Sequence, residues 1–389
     1  MTPRDVPPQD PTVRKLRIGV IFGGRSGEHE VSLASAASVL AAIDPERYEI
    51  VPMGIAKDGQ WLVGGDPLRA LADAAGVRLA LPTAAAPAEA SASRAVARVP
   101  TAGGLPAGVA ARLDVVFPVV HGPYGEDGTL QGLLELADVA YVGANVLASA
   151  VGMDKDTMKA VFRAHGLPVV PYLVVREHEW AEEREHVAER VARELGYPCF
   201  VKPSNLGSSV GISKVRHAAE LADAVAFALG HDRKILVERA VVAREIEVSV
   251  LGNDHPDASV PGEIRPGKEW YDYEAKYTEG IAEVVIPAPL SEALVREFQR
   301  LAVAAFRAVD AAGLARVDFF LDSDSRIWVN EINTIPGFTR FSAYPRLWEA
   351  SGLPYSKLVD RLIELALERH AGKRRAAPAP GDSRPGAGA

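Results

Sequence analysis

The stretch that decides the fold is Arg316-Val317-Asp318-Phe319-Phe320-Leu321-Asp322-Ser323-Asp324-Ser325-Arg326-Ile327-Trp328-Val329-Asn330-Glu331-Ile332-Asn333-Thr334-Ile335-Pro336-Gly337. Two apolar runs, Val317 to Leu321 and Ile327 to Val329, flank an Asp-Ser-Asp-Ser cluster, which is the pattern of a β-hairpin with a polar turn. Asp318, Glu331 and Asn333 then sit at strand ends or faces that can converge. Two carboxylates and an amide oxygen form a hard, all-oxygen donor set. Such a set suits Mg²⁺ rather than zinc or copper, and Mg²⁺ usually keeps phosphate oxygens as its remaining ligands. The hairpin therefore predicts a nucleotide-phosphate site. Solvated turn residues are the alternative. Arg316 beside the acids, and a following run whose Gly337 leaves a backbone N–H open to a ligand, favour a reaction centre.

The chain around it has 389 residues, more than one ordinary core, and should divide into two or three domains. Its 43 basic and 51 acidic residues leave a net charge of −8, which argues against a general nucleic-acid binder and points to small-molecule partners. The single cysteine, Cys199, excludes an internal disulfide framework and a cysteine-based zinc site, and fits a reducing cytoplasm. Within Tyr-Pro-Cys-Phe-Val-Lys-Pro it reads as a buried strand position. The N-terminal residues lack the apolar core of a signal peptide, and no apolar run approaches a membrane span.

Residues 1–15 and 371–389 are rich in Pro, Gly, Ala and charge and read as disordered tails. Leu16 to Phe22 is an apolar run ending in Gly23-Gly24-Arg25-Ser26-Gly27, followed by a helical pattern from Val31 to Leu40. A strand, a glycine turn and a helix open an α/β domain with a ligand crevice at the strand's C-terminal end. GxGxxG is absent, so a dinucleotide is not implied. Residues 64–111 have weak periodicity and read as a partly mobile insertion. A buried strand at Leu113 to Val120, the loop His121 to Gly128, a helix at Leu130 to Leu136 and a strand near Val139 to Val142 complete a first domain, 16–150.

A second domain, 151–234, contains a helix at Met153 to Ala164, a charged amphipathic helix at Glu183 to Leu195, and a strand, Cys199 to Lys202, running into Pro203-Ser204-Asn205-Leu206-Gly207-Ser208-Ser209-Val210-Gly211. This Gly/Ser loop is open to two readings, a phosphate cover or a plain flexible hairpin. Lys202 just before it, and Lys155 upstream, favour the first as point charges for phosphate. A third domain, 235–370, begins with strand-like alternation from Ile235 through Leu251 and carries residues 262–280, too polar and aromatic for a core element. A loop of that length reads as a lid.

Taken together, these blocks resemble the ATP-grasp carboxylate–amine ligases, and within them the D-alanine–D-alanine ligase family. The resemblance rests on Gly23 to Ser32, His121 to Thr129, Met153-Asp154-Lys155, Lys202 to Gly211, Tyr271 to Tyr277 and Arg316 to Gly337, six blocks in order across nearly all of 16–370. It implies an α/β, three-domain ATP-grasp fold with an N-terminal open parallel-sheet (pre-ATP-grasp) domain, and ATP between the sheets of the second and third domains. The implied reaction is ATP-dependent ligation of two D-alanines through D-alanyl phosphate, with two Mg²⁺ or Mn²⁺ ions, in a cytoplasmic homodimer serving peptidoglycan precursor synthesis.

By the same resemblance, Asp318, Glu331 and Asn333 match the metal ligands, and Lys155, Lys202 and Lys276 the phosphate-contacting lysines. Glu238 and Glu245 match acids of the adenine and ribose side, and Arg316 with the Gly337 N–H the oxyanion stabilisers. Glu28 matches the group receiving the first substrate's ammonium, His121 a residue near its carboxylate, and Ser342 a binder of the second substrate's carboxylate. Ser208 and Tyr277 match a hydrogen-bonded set with Glu28. Relatives that make depsipeptides carry a histidine-bearing lid where this chain has Glu274-Ala275-Lys276-Tyr277, so the neutral phenol of Tyr277 implies an amine acceptor.

Two other readings compete. Another ATP-grasp amino-acid or dipeptide ligase would keep the metal set and Arg316 without needing Glu28, His121 and Tyr277 together. A nucleotide sensor without turnover should have lost at least one of Asp318, Glu331, Asn333 or Arg316, and all four are present.

Overall fold

The structure, a computed structural model, describes residues 14–79, 96–99, 106, 112–266 and 282–376, and their strands form three sheets. In the first, β1 (Leu16–Gly23), β2 (Tyr48–Ile55), β3 (Trp61–Val63), β4 (Ala97–Val99), β5 (Val115–Pro118) and β6 (Ala140–Tyr141) lie in the order β4-β3-β2-β1-β5-β6. Strand β1 runs parallel to β2 and β5, and β5 parallel to β6, while β3 and β4 form an antiparallel edge. Both faces of β1 are covered, which is why its sequence is apolar without alternation. Val20 and Phe22 enter one core and Ile21 another. The turn into helix α1 (His29–Ala42) needs Gly23, held at φ +89° with the Ile55 carbonyl oxygen 2.2 Å from where a Cβ would stand.

The supposed insertion 64–111 is partly regular. Pro67–Ala75 is a helix, α2, whose N-cap Asp66 accepts from the Arg69 N–H, and Ala97–Val99 is strand β4. Helix α2 buries Leu68, Leu71 and Ala72, an i, i+3, i+4 stripe that the alanine-rich composition conceals. Residues 80–95, 100–105 and 107–111 lie outside the described residues.

The second sheet holds β7 (Tyr172–Arg176), β8 (Cys199–Pro203), β9 (Ser213–Val215) and β10 (Lys234–Arg239), antiparallel in the order β7-β10-β8-β9. Strand β10, expected to open the third segment, therefore belongs with the second, and the chain passes to the third sheet through 240–242. The expected helix Glu183 to Leu195 forms as Arg184–Arg190 continued by a π-helical turn, Val191–Leu195, and a separate short helix, Glu177–Glu182, precedes it. Cys199 is buried in β8 as expected, and burial pushes its thiol up to about 11, so it is not a nucleophile.

Helices α3 (Thr129–Leu136), α4 (Val146–Met153) and α5 (Lys155–Ala164) lie between these sheets in sequence. Asp154 starts α5 by accepting from the Thr157 N–H. The third sheet contains β11 (Ala243–Gly252), β12 (Asp257–Ala258), β13 (Gly262–Pro266), β14 (Ala282–Val285), β15 (Gly313–Asp322) and β16 (Ile327–Asn333), in the order β14-β13-β11-β15-β16 with β12 against β11.

The segment expected as a lid, 262–280, thus begins as the strand β13. Ile264 is buried there, and Glu263 is answered by Arg244 and Arg265. Residues 267–280, with Lys276 and Tyr277, lie outside the described residues. The C-terminal helix Tyr355–Ala376 runs past the expected tail boundary at 371. Lys373 pairs with Glu135 and Arg374 with Asp138, which fixes its last turns. Among the described residues no helix is long and apolar enough to cross a membrane.

Candidate active site

A cavity of about 720 Å³ opens between the second and third sheets, lined by Lys202 and Glu238 from one and by Glu245, Glu247, Asp318, Glu331 and Asn333 from the other. The hairpin β15/β16 forms as its apolar runs predict. Along β15 the burial alternates, placing Val317, Phe319 and Leu321 in the core and Arg316 and Asp318 on the cavity face. Simple alternation from Ile327 and Val329 would then bury Glu331 and Asn333. A β-bulge prevents this: Phe319 pairs with Val329 but Asp318 with Glu331, leaving Asn330 as an extra residue. One extra residue exchanges the faces. Ile332 enters the core, and Glu331 and Asn333 come round to Asp318.

On this wall Arg316 donates through Nε and Nη2 to the two oxygens of Asp318, both at 2.7 Å, and its Nε lies 3.3 Å from Glu247. Burial opposes the Arg316 charge, but Asp318 and Glu247 outweigh it and raise the guanidinium well above its ordinary range. Asn333 Nδ2 donates to Asp318 at 3.0 Å, which directs its amide oxygen elsewhere. Three carboxylates, Glu247, Asp318 and Glu331, thus answer one guanidinium. Among the described residues no trio of His, Cys, Asp or Glu is gathered for a metal; Asp318, Glu331 and the Asn333 amide, which line the cavity together, are the hard oxygen donors on this wall. Those hard oxygen donors, with negative charge in excess, fit Mg²⁺ or Mn²⁺.

The opposite wall reverses the sign. Lys202 in β8 and Glu238 in β10 are diagonal neighbours across the ladder, with Nζ 2.5 Å from Oε1. The other oxygen of Glu238 lies 2.7 Å from Nζ of Lys159 in α5. Burial raises the Glu238 carboxyl, yet Lys159 and then Lys202 overcome it and hold it at about 2. Lys155, at the start of α5, donates to the Leu206 carbonyl of the Gly/Ser loop at 2.5 Å.

That loop also reaches the first sheet: Ser208 Oγ donates to Glu28, the N-cap of α1. Ser208 and Ser209 both have positive φ, +51° and +58°, a costly conformation for non-glycine residues that the surrounding contacts must hold. His121 is turned inward rather than open to a ligand. Its Nδ1 lies 3.0 Å from the Ile335 carbonyl, its Nε2 3.0 Å from Ser35 Oγ, and the Phe338 N–H donates to that same oxygen. Burial lowers its basicity, and the neutral ring with Nδ1–H satisfies all these bonds. The ring therefore fixes the loop that carries Gly337. Ser342 stands beside that glycine, where a Cβ on Gly337 would come 3.1 Å from its Oγ, and Ser342 Oγ accepts from the Thr339 N–H at 3.0 Å.

Of the sites read from the sequence, Asp318, Glu331, Asn333, Lys155, Lys202, Glu238 and Glu245 line this cavity, and Arg316 stands beside it, bonded to Asp318. Glu28, Ser208, His121, Gly337 and Ser342 gather around the loops at its first-sheet end. Lys159, Glu247 and Glu126 were missed. Glu126 lines the cavity and accepts from the Gly122 N–H at 3.0 Å; burial and then the Glu28 charge push it up to about 8. A signal for Lys159 was present, since a lysine one turn after Lys155 interrupts the buried stripe of Met158 and Phe162.

Three sheets of this topology, with a charged cavity between the second and third, define the ATP-grasp class. Family models described as the D-ala D-ala ligase N-terminus and C-terminus match residues 17–144 and 161–364. A D-alanine–D-alanine ligase of Heliobacterium modesticaldum is 51% identical over 366 residues, covering 93% of this chain and 97% of its own. One of Streptomyces coelicolor is 50% identical over 377 residues, covering 92% and 95%. The solved Coxiella burnetii D-alanine-D-alanine ligase superposes with a TM-score of 0.77 at 37% identity, covering 94% of this chain and 97% of that one. The VanG D-Ala:D-Ser ligase of Enterococcus faecalis also gives 0.77, at 33% identity, covering 91% and 100%. The chain belongs to the D-alanine–D-alanine ligase family.

Proposed function

We propose that this chain joins two D-alanines into D-alanyl-D-alanine with cleavage of ATP to ADP and phosphate, supplying a peptidoglycan precursor for the cell wall. It works in the cytoplasm as a homodimer, and its three domains divide near 150 and at 240–242. The observation that carries the reading is the opposition of the cavity walls among the described residues, Glu247, Asp318 and Glu331 around Arg316 on β11, β15 and β16, and Lys159 and Lys202 around Glu238 on α5, β8 and β10. A metal-bound polyphosphate offers each wall the opposite charge.

Asp318, Glu331 and Asn333 would hold the divalent cations, which supply neutralisation of phosphate charge. Lys155 and Lys202 take the phosphates, and Glu245 the ribose side. Glu28 receives the ammonium of the first D-alanine, whose carboxylate attacks the γ-phosphorus to give D-alanyl phosphate and ADP. The second D-alanine, its carboxylate at Ser342, loses its ammonium proton to solvent, and its free amine adds to the acyl carbon of D-alanyl phosphate, one further amine proton leaving with the phosphate as the amide forms. The tetrahedral oxyanion faces the Gly337 N–H and Arg316, and its collapse expels phosphate. Asp318 and Glu247 anchor the guanidinium through Nε and Nη2, which leaves Nη1 for the oxyanion. His121, with Ser35, holds the Gly337 loop still and is given a positioning role. Lys276 and Tyr277 keep the roles that the family resemblance implies.

The test is phosphate release with ATP and Mg²⁺ over D-alanine, D-serine, D-lactate and L-amino acids, singly and in pairs. D-Alanine alone should support turnover, and release only with L-amino acids would overturn the assignment. D-Serine is included because VanG is a D-Ala:D-Ser ligase of similar fold. Mixed D-Ala-D-Ser product in excess of D-Ala-D-Ala would support that second reading.

A further inference from the structure

Lys159 is 1% exposed, does not line the cavity, and projects from the buried stripe of α5 onto Glu238. A lysine in that position carries a large desolvation cost. Lys202 alone would answer Glu238, so a second lysine on the same carboxylate is not needed for neutrality. A one-to-one Lys202–Glu238 pair would in fact be neutral, with the ammonium drawn toward its own carboxylate. With Lys159 on Oε2, the three groups keep one positive charge, and Lys202 is the cation among them that lines the cavity, beside Glu238 and in front of Lys159.

We propose that Lys159 is a positioning residue of the nucleotide site: it cancels the charge of Glu238 from behind, so that Lys202 presents its positive charge to nucleotide phosphate. The inference rests on the nucleotide reading of the cavity and deepens it. It also gives Glu238 a task different from an open adenine contact, because both of its oxygens are engaged and the residue is 2% exposed. The task belongs to the phosphate end of the ligand, so removing Lys159 weakens binding of nucleotides and not of the nucleoside.

The experiment is titration calorimetry of the full chain at fixed Mg²⁺ with ADP, and with adenosine by competition. It compares wild type, Lys159→Met, Lys159→Arg and the double variant Lys159→Met/Glu238→Gln. Lys159→Met should weaken ADP roughly tenfold, the loss of about one charged contact, and leave adenosine within about twofold. Lys159→Arg should keep the ADP-to-adenosine ratio. The double variant, which restores one net positive charge, should recover most of the ADP affinity. Equal losses for ADP and adenosine would reveal a packing role and overturn the proposal, as would a double variant no better than the single one. If Lys159→Met does not fold, the double variant decides alone: affinity near wild type supports the proposal and a tenfold loss refutes it. Wild type that binds no ADP would instead remove the nucleotide reading itself.

Discussion

The two walls of the cavity solve the same electrostatic problem with opposite signs and by different construction. The acidic wall gathers Glu247, Asp318 and Glu331 around Arg316, and three of these four residues come from one hairpin. The basic wall gathers Lys159, Lys202 and Glu238 from a helix and two strands far apart in sequence. Charge away from water is costly unless it is answered, and among the described residues the first wall sets three carboxylates against one guanidinium and the second two ammoniums against one carboxylate. The lesson is that, among the described residues, the two walls of one cavity present opposite signs, as the two ends of a metal-bound polyphosphate in the proposed reading require.

The largest expected effect comes from breaking the acidic wall. Glu331→Gln should keep the fold and some nucleotide binding, yet lose turnover by about 10²-fold or more, because a neutral amide cannot offset cation charge. Steady-state phosphate release and ADP titration measure the two properties separately, and activity within about threefold of wild type would free Glu331 from the role.

A second effect concerns Glu126, between the walls. Its ordinary value is 4.5 and the folded value is about 8, so between them the folded chain keeps a proton that the unfolded chain has released. Stability from this group therefore falls as pH rises across that window, on the order of 2 kcal/mol once partial exposure is allowed for. Denaturant unfolding at the two ends of the window should show a shallower fall for Glu126→Gln. An unchanged slope would mean that Glu126 is not held as the neutral acid.

Ser208→Ala removes the hydroxyl that ties the Gly/Ser loop to Glu28 but leaves the positive φ to be borne. About a tenfold loss in kcat/KM, with most of it in KM for D-alanine, is expected for one bond to a charged group. Ser208→Gly, which relieves the backbone but not the lost bond, should be no more active. Recovery by glycine would place the effect in the backbone instead. The smallest difference is in acceptor choice: with D-alanine and D-lactate at equal concentration near neutral pH, dipeptide should outweigh depsipeptide. Chromatography of the labelled products reads it, and a majority of depsipeptide would reverse the inference from Tyr277.

By itself the sequence determined the hairpin, the buried strand at Cys199, the opening strand–glycine–helix unit and the family. Each depends on local pattern: apolar runs broken by turn residues, or glycines where a close approach forbids a Cβ. It missed α2 because alanine blurred the stripe, and it set the second boundary at 235 because a strand's sheet membership is not written in the strand. Tertiary structure alone decided which acids face the cavity. Alternation from Ile327 and Val329 points Glu331 into the core, and only the bulge at Asn330, visible once β16 is registered on β15, turns it to Asp318. It alone also made Lys159 part of the basic wall, since ion pairing depends on distance in space, and residues 159, 202 and 238 meet only when α5, β8 and β10 are packed.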